Sequence, residues 1–486
     1  MSSAHLARLL GSWRRDDTGA HLVARATYVA LADRVRLLVL DGRLPLRTRL
    51  PAERTLADAL GVSRTTVTAA YDQLREQGFL HSRQGAGSWT SLPADASSSG
   101  ETGVTGGGLS AAGEGLLDLA HASPPAPLGA LHRAVTAAVL DLPRHLPTHG
   151  YHALGLPELR AAVAVRYDQR GLPTSPEQVL ITNGAQHAWA LVLRLIADPG
   201  DRVLVEAPTY PNALEAVRAG GGRPVPVGLT REGWDLEMLA ATLRQASPRL
   251  AYLLPDHQNP TGLVLDAGAR VKVAAMAARA RTPLVIDETL AELTLDDVPA
   301  PAPFAKSAGA GTVLSIGSTN KTFWGDLRVG WIRTEPDLVR RLAAARAGLD
   351  LGTPVLEQLV ATHLLGDIEA VVATRREELR RQRAALEAAL HSYFPAWSWR
   401  RPSGGLSLWV ELDAPVSSLL AGTAEAYGIA LAAGPRFGVD GSFERFLWLP
   451  FTLGVDVVEE AVQRLAAVWA AIGPAKAGRL PSITIA

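Results

Sequence analysis

Residues 92–115, LPADASSSGETGVTGGGLSAAGEG, constrain the folding of this chain more than any other feature. They are rich in Gly, Ser and Ala and hold no aromatic residue. Such a run cannot bury enough apolar surface to offset the entropy of ordering it. Its composition is that of a flexible tether, and a tether implies two folding units. The division assigns residues 1–91 to a small N-terminal unit and 116–474 to a large body, with a tail over 475–486. Charge divides at the same place. The whole chain balances 48 Lys+Arg against 48 Asp+Glu. That balance argues against a protein that coats nucleic acid or an anionic membrane with its whole surface. Residues 1–91, however, hold 13 Arg, no Lys and 8 Asp+Glu, an excess of five positive charges. The remainder holds 35 basic and 40 acidic residues, the opposite excess. The pattern is that of a basic module joined to an acidic body.

Other classes fall away quickly. The chain has no Cys, which excludes disulfides, thiolate metal sites and a Cys nucleophile. Its 47% hydrophobic content is ample for buried cores. Every apolar run is broken by charge before the ~18 residues a membrane helix needs. No cleavage site follows the short apolar run near Arg8, Arg14 and Arg15. A cytoplasmic protein without a membrane partner is expected.

The small unit reads as helix, turn, helix, turn, helix and hairpin. Leu31, Val35, Leu38 and Val39 repeat at helical spacing from Tyr28 to Leu40. A turn-rich connection with Gly42 and Pro45 follows. The segment AERTLADAL forms a second helix that ends at Gly61. Ser63 caps a third helix, RTTVTAAYDQLREQG, and FLHSRQGAGSWT folds back around Gly85 and Gly87. Ala57, Leu60, Val62, Val67, Ala70 and Leu74 are the expected helix contacts. That leaves Ser63, Arg64, Thr65 and Thr66 at the exposed start of the third helix. Free amides and small hydroxyls there suit phosphate, and Arg64 can reach a guanine edge. Arg54 on the second helix and Arg83 at the wing are candidate phosphate contacts. The segment 45–90 closely resembles the DNA-binding domain of the GntR regulator family, a winged helix-turn-helix. The resemblance implies a double-stranded DNA operator as partner.

The body alternates short apolar strands (179–182, 202–206, 223–227, 250–255, 283–287, 312–317 and 329–334) with helices such as 185–197, 211–219 and 266–281. That order predicts an α/β domain with a largely parallel sheet. A helical stretch over 354–391 precedes a smaller α+β subdomain over 405–450. Four fragments then carry chemistry: ITNGAQHAW (181–189), HQNPTG (257–262), VIDETLAEL (285–293) and SIGSTNKTFWGDLRVGW (315–331). In the first, a strand runs into Gly184, Ala185 and Gln186 at a helix start, where amides can cradle a phosphate. Tyr210 follows in a turn and can stack on a flat ring. In this order the fragments resemble the fold-type-I aspartate aminotransferase family, which binds pyridoxal 5'-phosphate. The resemblance covers almost all of 116–474. It implies that Lys321 makes the Schiff base with the cofactor aldehyde, the internal aldimine. It implies that Ser318 and Arg328 bind the phosphate, that Asp287 pairs with the ring nitrogen, and that Asn259 bonds the ring hydroxyl. Tyr151 matches a tyrosine that reaches the phosphate of the partner subunit. Head, tether and body together resemble the MocR/GabR group of regulators, which implies a homodimer whose body senses a small-molecule effector.

Three positions depart from that group. Thr289 stands where a tyrosine is usual, Asn212 where some relatives carry Arg, and Trp448 where an Arg holds the substrate carboxylate. Arg445, three residues earlier, is not assumed to replace that Arg, since a strand alternates its faces and residues 445 and 448 point to opposite sides. Two readings of Trp448 follow. It selects an apolar or cationic effector, or the cofactor itself; or it packs the subdomain while another Arg serves. The departures argue against a working aminotransferase that happens to carry a DNA-binding head. His145, His149 and His152 lie in a Pro/Gly-broken loop with no nearby carboxylate, so no metal site is expected.

Overall fold

The computed structural model describes residues 1–11, 13, 27–40, 44, 46, 48–83, 87–91, 116–309 and 312–473. Residues 92–115, expected as a tether, residues 475–486, expected as a tail, and Gly42, Pro45 and Gly85 lie outside the described residues, as does the Arg83 side chain.

The head contains helices α1 (Ser3–Leu10), α2 (Thr27–Leu40), α3 (Glu53–Leu60) and α4 (Arg64–Glu76). Leu31, Val35 and Leu38 of α2 meet Val67, Ala70 and Leu74 of α4 in one apolar core. Leu60 and Val62, read as helix contacts, are only partly buried at its edge. Gly61 turns the chain between α3 and α4 at φ +62°, a conformation an L side chain resists. Helix α1 was not expected; it buries Leu6 and Leu10 in the same core. Strands β1 (Leu80–Arg83) and β2 (Gly87–Thr90) pair antiparallel as the wing.

The body has two sheets. Strand β3 (Leu117–Leu119) belongs to the smaller one. The larger contains β4 (Val179–Thr182), β5 (Arg202–Ala207), β6 (Arg223–Thr230), β7 (Gly233–Trp234), β8 (Leu250–Leu253), β9 (Leu284–Asp287), β10 (Val313–Ser318) and β11 (Gly330–Arg333). Its order is β4-β11-β10-β9-β8-β5-β6-β7. The run from β10 to β6 is parallel, while β11 is antiparallel to both neighbours. Strands β4, β8 and β9 are buried throughout, as a sheet covered by helices on both faces requires. The helix Ala185–Ile196 packs Ala188, Trp189, Leu191 and Val192 into that cover. The expected helical stretch is two helices, Val355–Gly366 and Ile368–Tyr393, broken at Asp367.

The smaller sheet adds β12 (Ser398–Trp399), β13 (Ser407–Glu411), β14 (Ile429–Ala433) and β15 (Phe446–Pro450), in the order β12-β13-β15-β14-β3. Strand β3 crosses from the body's start to lie parallel to β14. Three residues beside a Pro-rich run give no periodic signal, so only tertiary pairing reveals it. Head and body touch: His5 Nε2 lies 3.2 Å from Asp235, Arg8 lies 3.3 Å from Glu237, and the Phe443 N–H donates to the Leu40 carbonyl at 2.7 Å. Among the described residues no helix is long and apolar enough to cross a membrane.

Candidate cofactor site and DNA-contacting surface

The fragments converge at the carboxyl ends of the parallel strands, where open α/β sheets hold ligands. Beyond β4, Gly184 adopts φ +85° and opens the helix Ala185–Ile196 without a side-chain cap. The first amides of that helix are free to face an anion. Arg328 lies over them. Its Nη2 donates to the Asn183 carbonyl at 3.3 Å, and a Cβ at Gly184 would sit 2.8 Å from that atom. A Cβ at Gly330 would lie 2.6 Å from the Gly184 backbone, so β11 presses against the turn. At the end of β10, the Ser318 hydroxyl accepts from the Asn320 N–H at 3.0 Å. The Gln186 side chain points elsewhere, donating to the Asn212 carbonyl at 2.9 Å.

Lys321 follows three residues after Ser318. Its Nζ donates to the Ala122 carbonyl at 2.8 Å. Burial lowers the amine to about 8; Asp287 opposes the shift and Arg328 adds to it. An amine near 8 is neutral often enough to act as a nucleophile at physiological pH. Asp287 ends β9 and is 6% exposed. Its Oδ2 accepts from the Tyr252 hydroxyl at 2.5 Å, and its Oδ1 accepts from the N–H and hydroxyl of Thr289 at 2.9 and 2.6 Å. Two held oxygens still leave lone pairs for a further donor. Tyr252 was missed in the sequence, because an aromatic within a buried strand reads simply as core.

Tyr210 caps the next helix, Pro211–Ala219, from the loop after β5. Burial raises its hydroxyl, which Asn212 Nδ2 contacts at 3.0 Å; the charges of Asp287 and Arg328 also reach it. Asn212 thus supports Tyr210. The Asn259 Oδ1 is buried with no partner among the described residues. Tyr151 is set apart: it is 61% exposed and lies beside His149, with ring centroids 5.6 Å apart.

The departures acquire physical form. The Thr289 hydroxyl turns back onto Asp287. Trp448 is 6% exposed and packs with Ala432 and Phe437. Arg445 reaches the Asp413 carbonyl at 3.0 Å, away from Trp448. In the head, Ser63 Oγ accepts from the Thr66 N–H at 3.1 Å and lies 2.7 Å from the Thr65 hydroxyl. Arg54, Arg64 and Thr65 are exposed, and Thr66 is half-buried. The Arg64 guanidinium stands 3.9 Å from Glu53, too far to fix it. The histidine loop corrects one expectation: Glu158 lies 3.1 Å from His145. Even so, among the described residues no group of three or more His, Asp or Glu could hold a metal.

The residues present fit pyridoxal 5'-phosphate. Glycine-lined amides and Arg328 suit a phosphate, Asp287 a protonated ring nitrogen, the unpartnered Asn259 amide a ring hydroxyl, and Lys321 an aldehyde. Fold and site therefore define a pyridoxal-phosphate-binding body behind a winged helix-turn-helix head. The model of the family "Aminotransferase class I and II" matches residues 126–465, and that of "Bacterial regulatory proteins, gntR family" matches 27–89. The chain belongs to the aminotransferase class I and II family, within its MocR-type branch of helix-turn-helix transcriptional regulators. It is 32% identical over 327 residues to the probable rhizopine catabolism regulatory protein MocR of Rhizobium meliloti, covering 63% of this chain and 65% of the relative. It is 27% identical over 467 residues to the HTH-type transcriptional regulator TauR of Rhodobacter capsulatus, covering 88% and 93%. Among solved structures, the α-aminoadipate aminotransferase LysN of Thermus thermophilus superposes with a TM-score of 0.69 at 31% identity, covering 77% of this chain and 97% of that one.

Proposed function

We propose that this regulator reads a small molecule at the pyridoxal-phosphate site and passes the result to paired DNA-binding heads. The observation that carries the proposal is the lowered Lys321 amine, held between the Ala122 carbonyl and the charges of Asp287 and Arg328. The cofactor, when bound, supplies an aldehyde and an electron sink. Gly184, Ala185, Ser318 and Arg328 would hold its phosphate. Asp287 would hold the ring nitrogen charged, steadied by Tyr252 and Thr289. Tyr210 would stack on the ring, and Asn259 would orient its hydroxyl.

A route from site to head supports the reading. The Phe437 carbonyl accepts from the Thr209 N–H at 2.9 Å, beside Tyr210. Six residues on, Phe443 donates to Leu40 at the end of α2. A shift of this loop on effector binding would move the head. The protein works as a homodimer in this reading. Leu128, Val139, Leu140 and Leu146 expose a run of apolar surface close in sequence to Tyr151, the residue offered to the partner subunit. In the head, Arg54, Ser63, Arg64, Thr65, Thr66 and Arg83 contact a two-part operator.

The test is spectroscopic and functional together. Lys321→Ala abolishes the visible chromophore of the purified protein and removes any cofactor-dependent change in operator binding. An unchanged spectrum refutes the assignment. The rival reading, a working aminotransferase, is opposed by Thr289 and Trp448. A steady-state transamination assay separates the two.

A further inference from the structure

The register of the smaller sheet places one row of side chains toward the cofactor site. Trp409 pairs with Trp448, and Trp448 with Ala432. Leu431 pairs with Leu119, so Ala432 stands level with Ala120. Side chains level across a sheet share a face. The opposite face, with Leu408, Leu447, Leu431 and Leu119, is the subdomain core. On the near face Ala120 and Ala122 pack against the Trp448 cluster, and the Ala122 carbonyl is the one that receives Lys321 Nζ. The Trp448 indole N–H is buried there and finds no hydrogen-bond partner.

From β14 the chain turns through Gly434–Phe437. Phe437 rests on Trp448, with ring centroids 5.5 Å apart, and its carbonyl is fixed by the Thr209 N–H. Those two contacts fix the turn that carries Arg436, the residue before Phe437, next to the loop of Tyr210. Arg436 is exposed, and among the described residues no hydrogen bond or ion pair engages its guanidinium. It lies close enough to His121 for its charge to be felt there, as does that of Lys321. The nearby carboxylate, Asp118, is already engaged: it lies 2.9 Å from the His121 ring and accepts the Ala120 N–H. An unengaged guanidinium near His121 and an unsatisfied indole N–H packed on Ala120 and Ala122 thus stand by the segment whose Ala122 carbonyl receives Lys321. Both are donors without acceptors, and a guanidinium fork matches a carboxylate.

We propose that Arg436 anchors the carboxylate of the effector, with the Trp448 indole N–H as a second donor. The ligand class is a small carboxylate, held at a residue displaced from the strand position that Trp448 occupies. The proposal rests on the reading of the body as a pyridoxal-phosphate sensor. It narrows what that sensor accepts, and it takes one half of each reading of Trp448: another Arg serves, while Trp448 faces the site side of the sheet rather than the subdomain core.

The test uses the full-length protein loaded with pyridoxal 5'-phosphate and glutarate as probe, a carboxylate with no amine to react. Binding is read by calorimetry. Arg436→Ala weakens glutarate by about 10-fold or more, the loss of a charged hydrogen bond. Arg436→Lys keeps part of the affinity, and Trp448→Phe loses several-fold. Arg445→Ala, on a carbonyl outside the site, leaves binding unchanged. The visible chromophore and thermal unfolding of Arg436→Ala match the wild type. Equal glutarate binding by wild type and Arg436→Ala overturns the proposal. So does a wild type that fails to bind glutarate, or an Arg436→Ala protein that loses the chromophore while remaining folded. A wild type without any chromophore refutes the cofactor reading instead; glutarate titration of that cofactor-free protein still decides for or against Arg436.

Discussion

Replacing Lys321 by Met stabilises the cofactor-free body at neutral pH, although it removes the residue that binds the cofactor. Lowering an amine from 10.5 to about 8 costs about 3.4 kcal/mol whenever the folded state carries it protonated. Lys321 keeps some contact with solvent, which reduces that figure to roughly 2–3 kcal/mol. Met fills a similar volume but leaves the Ala122 carbonyl without its donor, a loss of about 1 kcal/mol. The net gain is therefore about 1–2 kcal/mol. For a body of this size that raises the melting temperature by about 1.5–3 °C. The sign depends on pH. The folded-state pKa lies below the unfolded one, so the unfolded state binds more protons between about 8 and 10.5. Wild-type stability rises with pH through that window. The full penalty applies below about 8, so the advantage of the variant is greatest there and fades toward 10.5. The assay is thermal unfolding of the cofactor-free protein from pH 7 to pH 10, followed by tryptophan fluorescence. Nine of the eleven Trp lie in the body, so the signal reports mainly that unit. A variant less stable than wild type at pH 7, or a difference that does not change with pH, refutes the assigned burial of the amine.

Other consequences are as direct. The rate of pyridoxal 5'-phosphate capture by the cofactor-free protein rises with pH and levels off above about 8, followed by the growth of visible absorbance. Thr289→Val deletes one of three hydrogen bonds to Asp287 and weakens cofactor binding about 5- to 10-fold in equilibrium dialysis. Ser63→Ala removes the cap of α4 and lowers head stability by about 1 kcal/mol, measured as faster hydrogen exchange of the α4 amides in the full chain. Arg64→Ala costs about 1–3 kcal/mol of operator affinity in fluorescence anisotropy, and relaxes specificity at one base pair. Phe443→Ala keeps cofactor and DNA binding but weakens the effect of the effector on operator affinity, because the ring no longer packs on Trp409 and Phe446 to stiffen the loop whose N–H reaches Leu40.

The parts of this molecule that were legible in sequence are those with a local signal. Strands β4, β9 and β10 are short apolar runs that end in chemistry, and the helix caps at Ser63 and Gly61 announce the turn of the head. Asp287 and Ser318 close two such runs, while Lys321 and Arg328, between β10 and β11, stood out only through the resemblance of the fragment 315–331 to the aminotransferase family. What escaped was non-local. Strand β3 has no periodicity of its own and is defined by β14, more than 300 residues away in the chain. Tyr252 looks like any core aromatic until β8 and β9 are paired and its hydroxyl meets Asp287. Arg436 carries no motif at all. Its interest comes from what is missing around it: a partner for its charge, a partner for the Trp448 indole, and an arginine at position 448. An absence of partners can be read only after all neighbours are placed. For that reason sequence alone left two meanings open for Trp448. The sheet register joins parts of both, because it puts Trp448 and Ala120 on the side of Lys321 and off the subdomain core, while Arg445 bonds the Asp413 carbonyl elsewhere.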